Sequence, residues 1–323
     1  MYNELTMKDN YGREINYLRI SVTDRCNLRC RYCMPEEGVP KKDHSQILHT
    51  DETVKIAKAA AELGISKIRI TGGEPLVKKG VVGLCEEIAD IKGIEEVCIT
   101  TNGTLLPQYA KDLVRAGVTR VNISLDTLNP EKYHYITRLG KLEEALTGID
   151  AALEAGFDKV KINNVLVGGF NDDEIKGFAE LTRAKPIEVR FIELMPIGGG
   201  IGFDRNNFIS TDKVLEELPE LESLNKTDGV ARIYKLPESA GQIGLIRPVS
   251  CEFCGDCNKI RLTAAGMVKP CLHSDQAISV KDKSYEEVKI LLEKAINSKP
   301  EMRGALDAEN PSMAGRDMNA IGG

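Results

Sequence analysis

Tyr17-Leu-Arg-Ile-Ser-Val-Thr-Asp-Arg-Cys26-Asn-Leu-Arg-Cys30-Arg-Tyr-Cys33 begins as a short β-like run and ends as a loop carrying three cysteines. Comparable runs recur at residues 67–71, 96–100, 120–125, 159–165 and 188–193. Amphipathic stretches near residues 51–63, 81–91, 107–116, 142–155 and 172–184 lie between them. In the first of these, Val54, Ala57, Ala61 and Leu63 fall near one helical face. Gly64, Gly93, Gly117 and Gly156 follow helical stretches, where a C′ glycine is expected. This alternation predicts βαβ units and a parallel sheet. Right-handed crossovers would curl six units into an incomplete (βα)6 barrel. A closed barrel takes eight strands, so one side of this α/β fold should stay open.

The rhythm changes after Met195. A glycine-rich loop at 196–202 precedes a helix near 211–218 and β-like runs at 231–236 and 242–248. Three cysteines, Cys254, Cys257 and Cys271, then form a second group. A helix near 285–297 leads into a loose tail, 298–323. The expected division is a partial barrel over residues 1–200 and a C-terminal region over 201–323 that carries the second group.

Hydrophobic residues make up 42% of the 323 and charged residues 28%, enough for a sizeable core. Lys plus Arg is 43 against 49 Asp plus Glu, a net of −6. That balance does not favour general binding to nucleic acid or membranes. Residues 1–14 are polar and lack an apolar signal core, and no apolar run approaches a membrane span. A soluble cytoplasmic protein is expected, with no nucleic-acid or membrane partner.

Six of the nine cysteines sit in the two groups, and Cys85, Cys98 and Cys251 are left over. In a reducing compartment such groups favour metal binding over disulfides. Cys26, Cys30 and Cys33 can bind three irons of a 4Fe–4S cluster and leave the fourth iron open for a ligand. A zinc site completed by His44 or His49 is the alternative. The loop lies at the carboxyl end of a strand, the functional end of a barrel. Tyr32 would set an aromatic ring beside the open iron. Gly72-Gly73-Glu74-Pro75 follows the second strand. Alone it reads as a turn, although glycines also admit close backbone approach. In the second group Cys251 could be a fourth ligand, which would close the site and favour zinc. Lys259 and Arg261 share one strand face there and suit an anion, or else a solvated surface. Cys85 and Cys98 read as small buried hydrophobes.

The three-cysteine spacing together with Gly-Gly-Glu-Pro resembles the radical S-adenosylmethionine superfamily. Both cysteine groups, with the terminal Gly322-Gly323, are similar to the GTP 3′,8-cyclase family over essentially the whole chain. The resemblance implies two 4Fe–4S clusters, one on Cys26, Cys30 and Cys33 and one on Cys254, Cys257 and Cys271. The first would cleave S-adenosylmethionine and the second would bind guanine through its open iron. Tyr32, Gly73, Glu74, Ser124 and Met195 look like S-adenosylmethionine contacts, Glu74 accepting from the methionine ammonium. Arg19, Lys67, Arg69, Thr100, Lys161, Arg190, Lys259, Ile260 and Arg261 look like GTP contacts. By composition the tail is a frayed terminus. The family instead inserts the Gly-Gly end into the active site, so Arg261, Gly322 and Gly323 are implied in the later catalytic steps, with Arg316 nearby. Lys78 and Lys79 stand where the family often has Arg.

The implied reaction takes hydrogen from the 3′ carbon of the GTP ribose and closes that carbon onto C8 of guanine. The product is 3′,8-cyclo-7,8-dihydro-GTP, the first intermediate of molybdenum cofactor synthesis. The implied partners are an external electron donor, a second copy of the chain in a homodimer, and a downstream cyclic pyranopterin monophosphate synthase that consumes the product. The rivals are a two-cluster radical enzyme that matures a peptide, and a non-enzymatic zinc or iron–sulfur module.

Arg19, Lys67, Arg69, Thr100, Ser124, Lys161 and Arg190 lie on six different expected strands. Five of these seven are charged. Buried charges are costly unless paired. Lining a polar cavity meets that cost, with a triphosphate as counter-charge for forked arginine donors. Any one of them could instead face outward, because strand side chains alternate.

Overall fold

A computed structural model describes residues 7–40, 43–197, 207–251, 253–304, 306 and 312. Six strands run parallel in chain order: β1 (Tyr17–Ser21), β2 (Lys67–Thr71), β3 (Glu96–Thr101), β4 (Val118–Ser124), β5 (Lys159–Leu166) and β6 (Ile187–Glu193). The crossovers carry α1 (Thr50–Glu62), α2 (Val81–Ala89), α3 (Leu106–Arg115), α4 (Pro130–Thr137), α5 (Leu142–Ala155) and α6 (Ile175–Ala184). The incomplete six-unit barrel is present, and Gly64, Gly93, Gly117 and Gly156 have positive φ at the helix ends. Helix α4 has no counterpart in the sequence reading. Its signal is local: the Asn129 side chain accepts from Glu131 and Lys132 N–H, and Pro130 fills the first turn.

The C-terminal third adds α7 (Asp212–Glu217), β7 (Glu222–Asp228), β8 (Ala231–Lys235), β9 (Gln242–Ile246), β10 (Lys259–Leu262), β11 (Met267–Lys269), β12 (Ile278–Ser279) and α8 (Tyr285–Asn297). These strands extend the barrel sheet at both edges. β9 pairs parallel with β6, and β10 pairs parallel with β1. The result is one twelve-stranded sheet in the order β12-β11-β10-β1-β2-β3-β4-β5-β6-β9-β8-β7. Helix α8 opens with a capping box between Ser284 and Glu287, and Tyr285 and Lys289 both reach Glu62 of α1.

Strand alternation divides the sheet into an apolar outer face and a polar inner one. Leu18, Ile20, Ile68, Ile70, Ile260 and Leu262 are at most 1% exposed and belong to the main core with the helices. Tyr17, Arg19, Lys67, Arg69, Lys259 and Arg261 occupy the intervening positions, on the inner face.

Helix α5 meets the turn after β3 backbone to backbone. A Cβ built on Gly148 would lie 2.1 Å from the Gly103 carbonyl oxygen. Gly148→Ala is therefore expected to force helix and turn apart and to destabilise the fold by about 1–3 kcal/mol. Urea denaturation measures this, and an unchanged midpoint would refute the tight contact.

Candidate active site

The first cysteine loop leaves the carboxyl end of β1 and is held by the Gly-Gly-Glu-Pro stretch leaving β2. Gly73 N–H donates to the Thr23 carbonyl at 2.7 Å, and Glu74 N–H to the Arg25 carbonyl at 2.8 Å. A Cβ on Gly73 would sit 2.5 Å from the Arg25 oxygen, and one on Gly72 would sit 2.6 Å from that of Thr23. Both glycines thus allow the two loops to stack.

Glu74 is 1% exposed, and its carboxylate accepts from Leu76 N–H (3.0 Å), Thr101 Oγ1 (2.8 Å) and Asn102 N–H (2.7 Å). Burial pushes its carboxyl up to about 7 against these three donors. Asn102 in turn donates to Asn27 Oδ1 at 2.9 Å and approaches Cys26 Sγ at 3.8 Å. Leu28 N–H also points at Cys26 Sγ, at 3.3 Å. Burial pushes the Cys26 thiol up to about 11 and Cys30 well above its ordinary value, so a metal bound here displaces protons.

Tyr32 donates to Asp126 Oδ2 at 2.6 Å, and Val165 N–H holds the other oxygen at 2.9 Å. Burial, then the Asp126 charge, push the phenol well above its usual value. Just past α4, Arg138 at φ 62° donates to the Arg29 carbonyl at 2.7 Å and braces the loop from outside. Asn102, Asp126 and Arg138 escaped the sequence reading, although the first two lie just past the ends of expected strands, in Thr100-Thr-Asn-Gly103 and Ser124-Leu-Asp126. Ser124 is half-buried at the end of β4, and Met195 packs with Ile197 and Leu272.

The basic residues gather on β10, β1 and β2. Lys259, Tyr17 and Lys67 are register partners at the first positions of their strands, and Arg261, Arg19 and Arg69 follow two residues later. At about 3.3 Å per residue, the first row lies roughly 13 Å below the strand ends that carry the cysteine loop. Lys67 Nζ and Lys259 Nζ lie 5.2 and 5.6 Å from the centre of the Tyr17 ring. Arg69 donates to the Tyr17 hydroxyl, and also to Thr100 Oγ1 at 3.3 Å. Burial, then the neighbouring Arg19, depress Arg261 to about 9, and burial lowers Arg19 as well. A guanidinium stays protonated at neutral pH. Arg69 in the same row is instead raised: burial lowers it, but the neighbouring Tyr17 phenol and Cys98 thiol outweigh that.

Lys67, Lys161 and Arg190 stand in a different setting. Lys67 pairs with Glu96 at 2.6 Å. Lys161 pairs with Asp228 at 2.6 Å and Glu188 at 3.5 Å, and Arg190 reaches both of those carboxylates. Protein carboxylates thus supply the counter-charge for these three, a role the sequence reading gave to a triphosphate. The reason is non-local: Asp228 comes from the end of β7, at the far side of the sheet. Ile260 is 1% exposed in the outer core, so any contact it makes with a ligand in the barrel would come from its backbone.

The second cysteine group lies at the amino-terminal end of the sheet, opposite the first. Cys254 opens a 3-10 turn, Cys257 stands two residues before β10, and Cys271 follows β11. Arg13 donates to the carbonyls of Cys254 (2.8 Å), Pro300 (2.8 Å) and Glu301 (3.0 Å). Glu193, fully buried at the end of β6, accepts from Val249 N–H (3.0 Å) and Ser250 N–H (2.9 Å) and anchors the loop before Cys251. Burial pushes the Cys257 thiol up, but the Lys299 and Lys259 ammoniums outweigh it and leave it below its ordinary value.

All nine cysteines are free thiols, and Cys85 and Cys98 are fully buried. Among the described residues, no three His, Cys, Asp or Glu side chains converge as ligands of one metal ion. Thiols that bind separate irons of a cluster need not converge on a point. Two sets of three thiols, each on loops fixed by backbone contacts, therefore fit two 4Fe–4S clusters. Arg316, Gly322 and Gly323 lie outside the described residues.

Gly73→Ala is expected to part the two stacked loops and spoil the first thiol set while sparing the second. Reconstituted protein should then fall from roughly eight to roughly four irons per chain. Retention of the full iron content would show that the stacking does not matter.

The chain matches the Radical SAM superfamily over residues 20–182 and the Molybdenum Cofactor Synthesis C family over residues 187–304. It is 50% identical to a GTP 3′,8-cyclase of Peptoclostridium acidaminophilum, covering 100% of both chains. It is 49% identical to the GTP 3′,8-cyclase of Alkaliphilus oremlandii over 98% of this chain and 100% of that one. Its fold superposes on Streptococcus suis SuiB bound to S-adenosylmethionine with a TM-score of 0.60 at 14% identity, covering 88% of this chain and 64% of SuiB. With both modules present and half of its residues shared along its length, the chain belongs to the GTP 3′,8-cyclase family of the radical S-adenosylmethionine superfamily.

Proposed function

We propose that this protein converts GTP to 3′,8-cyclo-7,8-dihydro-GTP, the first step of molybdenum cofactor synthesis. The observation that carries this reading is the placement of two thiol sets at opposite ends of a barrel with a row of three arginines, Arg69 buried and Arg19 and Arg261 half-buried, between them. When bound, the first cluster with S-adenosylmethionine supplies the radical chemistry, and the second supplies an open metal position for the guanine.

The chain's own residues position and neutralise. Arg19, Arg69 and Arg261, with Lys259, draw the triphosphate to the β10-β1-β2 wall through charge-assisted bonds. Their strand positions set the ribose between the two ends of the barrel, facing the first loop. Lys161 and Arg190, already balanced by Asp228 and Glu188, orient the substrate by donating bonds rather than by adding net charge. Glu74 and Asp126 fix Asn102 and Tyr32, which face the first thiol set. They act as positioning residues for S-adenosylmethionine, alongside contacts from Gly73, Ser124 and Met195. Arg261 and the Gly322-Gly323 end, with Arg316, serve the later steps. The barrel wall keeps the reacting carbon away from solvent. A row of three guanidiniums suits a triphosphate better than a peptide, which weighs against the peptide-maturing rival.

An external one-electron donor, a homodimer and a cytoplasmic location belong to the same proposal, as does consumption of the product by cyclic pyranopterin monophosphate synthase. No helix among the described residues is long and apolar enough to cross a membrane.

The test is an anaerobic assay of reconstituted protein with reductant, S-adenosylmethionine and GTP, read by mass spectrometry. Joint appearance of 5′-deoxyadenosine and cyclised GTP supports the proposal. Appearance of 5′-deoxyadenosine with intact GTP would reject the substrate. Arg261→Met should weaken GTP binding by 10- to 100-fold, since a hydrogen bond to a charged group contributes about 1.5–3 kcal/mol. Equilibrium binding of GTP measures this, and unchanged affinity would remove Arg261 from the triphosphate site.

A further inference from the structure

Lys299 lies just past the end of α8 and is 3% exposed, although lysine is rarely buried without partners. Its Nζ donates to the Lys259 carbonyl at 2.7 Å and to the Pro270 carbonyl at 2.9 Å. The same ammonium lies 3.7 Å from Cys257 Sγ. It therefore ties together the two strand ends that carry Cys257 and Cys271 and aims its charge at one of the thiols. Backbone N–H of Arg303 points at Cys254 Sγ from 3.5 Å. At the first group the donors to Cys26 Sγ, Leu28 N–H and the Asn102 amide, are neutral.

Cluster potentials respond to net charge and to hydrogen bonds on the ligand sulfurs. A fixed cation beside a thiolate stabilises the reduced, more negative state. We propose that Lys299 is a positioning residue that sets the reduction potential of the second cluster, making that cluster easier to reduce. The proposal rests on the reading that Cys254, Cys257 and Cys271 hold a 4Fe–4S cluster. Neither carbonyl partner carries charge, so the ammonium's main electrostatic effect falls on the sulfur.

The experiment is a mediated redox titration of reconstituted holoprotein, followed by electron paramagnetic resonance. The first cluster's signal is identified by its change on adding S-adenosylmethionine. Lys299→Met should shift the one-electron reduction equilibrium of the second cluster at least tenfold toward the oxidised form, 59 mV for such a couple. The first cluster should not move, and Lys299→Arg, which keeps the charge, should stay near wild type. If the methionine variant fails to assemble the second cluster, Lys299→Gln, which keeps an N–H donor without the charge, takes its place in the titration. An unchanged second potential in the uncharged variant overturns the proposal, as does an equal shift of both clusters or failure of the glutamine variant to assemble as well. Wild-type protein that assembles a single cluster would instead sink the two-cluster reading itself.

Discussion

Arg261, Arg19 and Arg69 stand abreast on neighbouring strands, and their mutual repulsion is the constraint around which the rest is arranged. Strands lie about 4.8 Å apart. Two unit charges at that spacing would repel by at most about 3 kcal/mol at an effective dielectric of 20, and by less where the side chains splay apart. Such a row persists only if something rigid holds it. The outward residues of the same strands do so: Leu18, Ile20, Ile68, Ile70, Ile260 and Leu262 are buried under the helices. Each fully buried side chain of this kind contributes roughly 2 kcal/mol. With two on each charged strand, the outer face outweighs the strain of the inner one. Tyr17 lies between its lysine neighbours, and its hydroxyl accepts from Arg69.

The C-terminal strands complete this arrangement. β10 docks parallel on β1 and brings Arg261 alongside Arg19. The same docking brings Cys257 and the second thiol set to the amino-terminal end of the barrel. The family matches meet between residues 182 and 187, yet the sheet runs through from β5 to β6 and from β1 to β10. A boundary drawn along the chain near residue 200 therefore separates residues that share one row of the sheet. Arg13 reinforces the point, since a residue before β1 holds the Cys254, Pro300 and Glu301 carbonyls.

Much of this was legible in the sequence, for local reasons. Buried parallel strands are short apolar-rich runs between glycines and amphipathic helices, and α5 begins and ends at the expected residues. β7, Glu-Ser-Leu-Asn-Lys-Thr-Asp, was not legible: it is mostly exposed at a sheet edge, and its register shifts between Ser223 and Lys226. The thiols and basic residues announced themselves by type and spacing. Their partners did not, because the pairings are distant in sequence: Tyr32 with Asp126, Glu193 with Ser250, Lys161 with Asp228, Lys299 with Cys257. A single sequence displays a charge but not the carboxylate that will face it.

The net charge of −6 sets a last problem, since a negative chain should repel a nucleotide triphosphate. The distribution of carboxylates resolves it. Glu96, Glu188 and Asp228 are committed to Lys67, Lys161, Arg190 and Arg120 on the β2 to β6 side of the inner face. Surface carboxylates act through water, where screening fades their field over about 8–10 Å. The arginine row lies inside the barrel, where screening is weaker and its charge dominates. Because one wall is cationic and the other internally neutralised, an anion entering the barrel meets a gradient across it. That gradient favours an anion such as a triphosphate on the β10, β1 and β2 wall over the neutralised one.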